Sequence, residues 1–188
     1  MKKVLIYLLV FIGVLLIGGL IFREVMITQT KKHSPQVEEV YHSNGINISI
    51  NYSSPFKKGR VIFGNLVPYG HVWRTGANEP TTFMTNVPLD IQGQRLAPGR
   101  YSIWTIPESK EWTVIFNKKI NDWGVSLGGK ASRNPDDDVL QVVVPTEHLR
   151  NVVESFMIDV KAAEESNKMY LRFEWDNVGV QLLLKEAK

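Results

Sequence analysis

The chain has 188 residues, of which 22 are lysine or arginine, 19 are aspartate or glutamate and none is cysteine. This length is enough for one domain of ordinary size and a short additional segment. Five of the 22 basic residues and one of the 19 acidic residues precede residue 33, so residues 33–188 carry 17 basic against 18 acidic residues, a net charge of −1. Because that part has no basic excess to follow phosphates, nucleic-acid binding is disfavoured.

The N-terminal segment has the length and composition of a membrane span. Residues 4–22 are uncharged and apolar, and Lys2, Lys3 and Arg23 flank them. A helix needs roughly 17–25 apolar residues to cross a bilayer, whereas a cleaved signal peptide has a core of about 7–15 and a small-x-small cleavage site. No convincing site follows, so we predict an uncleaved signal anchor at residues 1–24, with a cleaved signal peptide as the alternative. A short, positively charged N-terminal tail usually stays in the cytoplasm. We therefore predict a single-pass cell-membrane protein with an extracytoplasmic (periplasmic) C-terminal domain.

The pattern changes twice after the apolar run. Thr28–Glu39 is polar, contains a proline and has no periodicity, so residues 25–39 are predicted to be a tether. From about Val40 the period becomes two, and apolar residues alternate with polar ones over Ile46–Tyr52. This alternation is typical of a strand with one buried face.

Further short strands follow along the chain. The alternation continues over residues 83–91, a Pro-Gly turn is predicted at residues 97–100, and strands are predicted at residues 101–106 and 111–117. Many short strands separated by turn signals, with almost no helix, indicate an all-β domain at residues 40–188. We expect an antiparallel β-sandwich or a partly closed barrel.

Two local predictions concern the last third of the chain. A two-residue turn at Asp176–Asn177 would place Trp175 opposite Val178 and continue with apolar pairs on the same face, so we predict a C-terminal hairpin. Thr146–Ser155 is the only helical candidate in the domain, because Thr146 can cap its first turn.

Catalytic and metal-binding motifs are weak. Gly124–Gly128 matches G-x-S-x-G, but that motif works on a strand-to-helix turn and here Gly-Gly-Lys follows, so a loop is favoured. The acidic run Asp136–Asp138 has consecutive side chains that splay, and it indicates a solvated loop before a strand. We expect His71 and His148 to be polar surface residues, and we predict neither a metal site nor a cofactor.

The block Gly59–Thr82 is the densest in special residues, and two interpretations of it remain open. In the structural one, Trp73 plugs the end of the core and the polar residues near a turn at residues 75–78 satisfy loop backbone groups. In the functional one, the same polar groups line a recognition pocket, since loops on a rigid scaffold commonly carry function. Arg74 and Glu79 flank the turn and could pair across it. The candidate pocket, including two neighbours from the loop after the Trp112 strand, is Trp73, Arg74, Asn78, Glu79, Asn117 and Trp123.

This block, GRVIFGNLVPYGHVWRTGANEPTT, resembles a bacterial family known as domain of unknown function 2911. The resemblance runs from about Ile46 to Leu184 and implies no catalytic residues. Many family members are exported with a cleaved signal, and the predicted anchor departs from them. Similar blocks also lie at residues 96–102, 111–113, 116–117 with 123–124, and 174–175.

These observations favour a membrane-tethered, non-enzymatic binding or interaction module. The sequence offers no credible nucleophile–base pair, metal cluster or phosphate loop, and the partner is expected to be an envelope protein or a glycan. The alternative is a carbohydrate-binding or carbohydrate-active envelope protein that uses exposed indole rings as sugar platforms and Glu79 as an acid. Exposure of the five tryptophans distinguishes the two: Trp73, Trp104, Trp112, Trp123 and Trp175.

Overall fold

The computed structural model describes residues 2–126, 128–163 and 168–187. The chain separates after residue 33 into an N-terminal helix and a β-domain that starts at Ser34. Helix α1 spans Lys2–His33, and by length and composition it could cross a membrane.

The residues of the predicted tether are divided between regular elements. Residues 25–33 continue helix α1, and strand β1 begins at Gln36. Pro35 explains where the helix ends, because a proline disfavours helical geometry in the preceding residue, Ser34. The lysines and histidine in the last turn also complement the helix dipole. The polar residues of this segment therefore belong to the end of helix α1 and to the edge strand β1.

Within its described residues, the β-domain contains nine strands and one short 3-10 helix at Pro135–Asp137. The strands are β1 Gln36–Ser43, β2 Ile46–Ser53, β3 Thr81–Thr85, β4 Leu89–Ile91, β5 Gln94–Leu96, β6 Gly99–Pro107, β7 Glu111–Asn117, β8 Asp138–Ala162 and β9 Lys168–Glu186.

All strand pairs are antiparallel, and their order in the sheet is β1-β2-β3-β6-β7-β8-β9-β4-β5. The predicted antiparallel β-fold is confirmed, and the sheet is open, with β1 and β5 at its ends. Closure into a sandwich or a barrel stays a prediction. One buried cluster contains Ile50 and Phe83 from one half of the sheet and Phe173 and Leu184 from the other half. The sheet must therefore curve around a shared core.

The predicted C-terminal hairpin is wrong, because β9 runs unbroken through Asp176 and pairs with β8 and β4. Asp176 has a φ of 56° and lies opposite Val153, where the register with β8 shifts. A bulge adds one residue to the strand, so the side chains after it point to the face opposite to the one that simple alternation predicts. This exchange keeps Trp175 and Val180 both buried, which is the same pattern that a hairpin turn would produce.

The predicted helix at Thr146–Ser155 is also wrong, because these residues belong to β8. Thr146 pairs with Val180 and His148 with Val178 on β9. The backbone hydrogen bonds to β9 outweigh the local capping preference, and β-branched residues within the segment disfavour a helix.

Strands β6 and β7 bury side chains on both faces. Ile103 on β6 and Val114 on β7 belong to the main core cluster. The residues that follow them, Trp104 and Ile115, are 0% exposed but lie outside that cluster. Successive residues of a strand face opposite sides. The sheet therefore has a second buried layer at its centre, opposite the core.

Candidate functional site

Two segments meet around the predicted pocket, and we name them the turn loop (residues 73–81) and the cover loop (residues 118–134). The turn loop begins beside β6, where Trp73 N donates to Thr105 O over 2.7 Å and Thr105 N donates to Trp73 O over 2.9 Å. It ends where Thr81 N donates to Arg74 O over 3.2 Å. The loop is thus closed on itself and fixed to the centre of the sheet.

Trp73 packs as part of the core. Its ring stacks on Trp175 with centroids 6.1 Å apart and an interplanar angle of 16°, and it lies 4.9 Å from the Phe156 ring. Its indole Nε1 donates to Gly76 O over 3.0 Å, within the turn loop. This packing is the one that the structural interpretation of Trp73, as a plug at the end of the core, expects.

The backbone of the turn loop is strained. Thr75 and Asn78 have φ values of 57° and 58°, a left-handed conformation that is an outlier for a β-branched residue such as threonine. Gly76 has a φ of 143°, and a Cβ there would lie 2.8 Å from Ser53 O. Hydrogen bonds hold this conformation, since the Thr81 hydroxyl donates to Thr75 O and the Thr75 hydroxyl lies 3.2 Å from that of Thr105.

Asn78 joins the turn loop to two other segments. Its Nδ2 donates to Ser53 Oγ over 3.4 Å and to Ser34 O over 3.5 Å, at the start of the β-domain. Its backbone oxygen accepts from Gly124 N of the cover loop over 2.9 Å. Asn78 therefore holds the two loops together.

Arg74 lies on the side of the sheet opposite Trp73, under the cover loop. A Cβ on Gly124 would overlap Arg74 Cδ and lie 2.9 Å from Arg74 Cβ, so Gly124 packs directly on this side chain. Arg74 Nε is buried and has no hydrogen-bond partner. Burial lowers the pKa of the Arg74 guanidinium from its ordinary value.

Glu79 lies at the far end of the turn loop, half-buried, with its Oε2 atom fully buried. Within the described part of the chain no ion pair joins Arg74 to Glu79, so the pairing expected across the turn is wrong. The close packing of Gly124 on Arg74 explains why, because it holds the arginine stem beneath the cover loop.

Asn117 fastens both ends of the cover loop. It is fully buried at the end of β7, and its Oδ1 accepts from Lys119 N over 2.9 Å. Its Nδ2 donates to Asn134 O over 2.7 Å and to Asp138 Oδ1 over 2.8 Å. Asn117 therefore holds the two ends of the cover loop together, and none of these hydrogen bonds reaches the turn loop.

Asp138, beside Asn117, completes the base of the cover loop. Arg133 Nε and Nη2 donate to its two carboxylate oxygens over 3.0 and 2.6 Å. Burial by itself raises the pKa of Asp138, but hydrogen bonds from Arg133 and Asn117 and the charge of Arg133 outweigh burial and hold the pKa below its ordinary value.

Trp123 comes near the turn loop through its neighbour Gly124. Its side chain is half-buried, and its carbonyl accepts from Ser132 Oγ over 2.6 Å. The structure therefore brings Arg74 and Asn78 against the cover loop beside Trp123, whereas Trp73 faces the core and Glu79 lies at the far end of the turn loop. The sequence reasoning missed Gly124, although it follows Trp123 in one of the family-like blocks.

The cover loop also encloses Trp104. Its Nε1 donates to Ser102 Oγ over 2.9 Å, and that hydroxyl donates to Lys119 O over 2.7 Å. Trp104 lies on the face of β6 opposite the core cluster, and no pattern in the sequence predicts that this face is buried. This tryptophan is a second structural residue of the site.

The other motifs do not form reactive geometry. Ser126 is exposed, its hydroxyl donates to Lys130 O over 3.2 Å, and a bridge between Val125 and Ala131 makes this segment a small loop with no helix after it. Leu127 of the same motif lies outside the described residues. Across residues 2–126, 128–163 and 168–187, no group of three or more His, Cys, Asp or Glu side chains is placed to hold a metal ion.

None of the five tryptophans is an exposed platform. Trp104, Trp112 and Trp175 are at most 1% exposed, Trp73 is packed in the core, and Trp123 is half-buried.

The comparison with known proteins adds the family. A family model described as "Protein of unknown function (DUF2911)" matches residues 34–184. The chain belongs to this family. The match begins where the β-domain begins and leaves out helix α1, so the loops described above lie within the family domain. No curated protein and no solved structure matches the chain.

Proposed function

We propose that this protein of the DUF2911 family is a membrane-tethered, extracytoplasmic binding module with a sandwich-like β-scaffold, and that it recognises its partner with the turn loop and the cover loop. The observation that carries the proposal is the strained turn loop. A left-handed Thr75 costs about 1–3 kcal/mol, and such strain concentrates at binding and active sites. It persists here because Thr81, Thr105 and Gly124 hold the loop from several sides.

The absence of catalysis is part of the proposal. Among the described residues, Ser126 is the only serine in a nucleophile-like motif, and its hydroxyl donates a hydrogen bond to a backbone oxygen and none to a histidine. His71 is exposed, and its Nδ1 is hydrogen-bonded to Tyr69 O over 2.8 Å. A binding role needs only the preorganised polar groups that the two loops provide.

The tethering rests on helix α1, which is long and apolar enough to cross a membrane. We test its topology with alkaline phosphatase fused after Lys188 in the full-length protein. We expect the fusion to be active, because this enzyme folds only outside the cytoplasm. An active cytoplasmic reporter at the same position would contradict the proposed location.

The binding role is tested by photo-crosslinking in living cells. A photoreactive amino acid at Trp123 is expected to give specific adducts, and the same amino acid at the exposed Lys185 on β9 serves as the control. Glu79→Gln, which is nearly isosteric, should reduce the adducts at position 123 while leaving the melting temperature unchanged. Equal adducts from both positions, unaffected by Glu79→Gln, would refute a binding surface here.

The carbohydrate alternative depends on few rings, because Trp104, Trp112 and Trp175 are buried and Trp73 is partly buried against the core. Trp123 is the one ring left beside the turn loop to stack on a sugar. A glycan-binding protein would therefore lose its glycan on Trp123→Ala. Binding of the full-length protein to an array of cell-envelope glycans separates this alternative from a protein partner.

A further inference from the structure

We infer that Arg74 is an oxyanion-binding residue, which takes a carboxylate or phosphate group of the ligand at the boundary between the turn loop and the cover loop. This inference rests on the proposed function and names the chemistry of the group that the site accepts.

The first observation is the missing partner of Arg74. A guanidinium carries five N–H donors and no acceptor, and it stays charged in proteins. Arg74 Nε is buried without a hydrogen-bond partner, and no ion pair involves this side chain within the described residues. A buried N–H donor of a charged group without an acceptor is unfavourable, so an anion that accepts from Nε would be favoured.

The second observation is a comparison with the other part-buried arginines. Arg172 donates from Nε and Nη2 to the two oxygens of Asp159 over 2.8 and 2.7 Å. Arg133 holds Asp138 in the same two-pronged way. Each of these guanidinium groups faces a carboxylate in the planar geometry that arginine prefers. Arg74 is part-buried as well, but no carboxylate of the described residues forms an ion pair with it.

The third observation is that two backbone oxygens beside the Arg74 side chain already accept hydrogen bonds from the chain. Asn78 O, next to it, already accepts from Gly124 N, and Arg74 O accepts from Thr81 N. Gly124 contributes only packing on the arginine stem. An acceptor from outside the chain would satisfy Arg74 Nε, and the positive charge of the guanidinium favours an anion in that place.

An oxyanion fits this description better than a neutral acceptor. Carboxylate and phosphate oxygens accept two parallel hydrogen bonds from one guanidinium, which a single carbonyl oxygen cannot do. Nε lies beside the Cδ atom that Gly124 covers, so a two-pronged contact that includes Nε requires a small displacement of the cover loop. Ligand binding at Arg74 is thereby coupled to the position of that loop.

The test uses the full-length protein in mild detergent and follows thermal unfolding by tryptophan fluorescence. Sodium phosphate and sodium acetate are titrated in separate series, with sodium chloride at equal ionic strength as the baseline. The variants are Arg74→Met, which keeps the packing of the stem, and Arg74→Lys, which keeps the charge. Arg100→Met, at an exposed arginine of β6, is the matched control.

We expect phosphate or acetate to raise the Tm of the wild type and of Arg100→Met by the same few degrees beyond chloride. Arg74→Met should show no such rise and Arg74→Lys only a part of it. A response to phosphate alone identifies a phosphate ligand, and a response to acetate identifies a carboxylate. Without added anion, Arg74→Met should unfold at or above the Tm of the wild type, because it removes an unpaired buried charge.

An equal anion response in Arg74→Met and the wild type, or no response in the wild type, would overturn the inference. So would an Arg74→Met protein that unfolds well below the wild type without anion, since that result means that Arg74 is already paired. In each of these cases, crosslinking at position 123 that still depends on Glu79 would leave the proposed binding function intact. Loss of both results would refute the binding function as well.

Discussion

The two faces of strands β6 and β7 are buried by different means. On the core face, Ile103 and Trp112 pack against aromatic and aliphatic side chains from strands at both ends of the sheet. On the opposite face, Trp104 lies under a loop that is held by hydrogen bonds to Ser102 and Asn117. The core face derives its stability from apolar area, whereas the opposite face depends on a few directional contacts. We therefore expect substitutions in the cover loop to lower the stability less than substitutions on the core face.

The largest effect is expected from a change on the core face. Trp175→Ala removes a buried ring that stacks on Trp73, and it should lower the free energy of unfolding by about 3–5 kcal/mol. Trp123→Ala, in the cover loop, should lower it by about 1 kcal/mol or less. Urea unfolding followed by circular dichroism measures both values. Similar losses for the two variants would remove the distinction between the faces.

A smaller effect is expected where the two loops touch. Gly124→Ala places a methyl group against Arg74 and Asn78 and should destabilise the domain by about 1–3 kcal/mol, as overpacking does. Adding Arg74→Ala should restore part of that loss, because the removed stem makes room for the methyl group. The double-mutant cycle is measured by urea unfolding. Strictly additive losses would show that Gly124 and Arg74 do not press on each other.

The hydrogen bond under the cover loop is tested by two matched substitutions. Trp104→Phe leaves the Ser102 hydroxyl without its donor and should cost about 1–2 kcal/mol more than Trp112→Phe. Trp112 is the control, because its Nε1 is buried but has no hydrogen-bond partner. The difference between the two unfolding free energies is the measured quantity. If Trp112→Phe is the more costly change, the opposite face does not depend on hydrogen bonds as described.

The smallest effect concerns pH. Because the pKa of Asp138 lies below its ordinary value of 3.8, its carboxylate stabilises the folded protein above that pH. This contribution falls as the pH drops below 3.8 and through the folded-state pKa. In Asp138→Asn the Tm should be lower than in the wild type at neutral pH, and the gap should shrink in acid. Parallel Tm profiles between pH 7 and pH 3 would contradict this role for Asp138.

The sequence predicted the parts of the fold that depend on alternation. Ile46–Tyr52 and the strands around Trp104 and Trp112 alternate in the way that the sheet requires. The hairpin at Asp176 was wrong because a bulge and a turn produce the same order of apolar and polar residues. The local sequence pattern does not distinguish them. The helix at Thr146–Ser155 was wrong because its conformation is decided by β9, which is distant in sequence.

The candidate site was predictable in composition but not in contacts. The concentration of special residues pointed to Arg74 and Asn78, and the family-like blocks pointed to Trp123. Packing of Gly124 on Arg74 joins residues far apart in sequence, and no periodicity or spacing encodes it. The pairing expected between Arg74 and Glu79 failed for the same reason, because a third segment determines where the arginine lies.

Trp73 and Arg74 are consecutive, yet one stacks on Trp175 in the core and the other lies beneath the cover loop. A displacement of Arg74 is therefore transmitted through a single peptide unit to a pair of nearly parallel indoles. Indoles this close couple their electronic transitions, and that coupling changes sharply with angle and distance. We therefore expect the circular dichroism of the indoles around Trp73 to change when Arg74 is displaced.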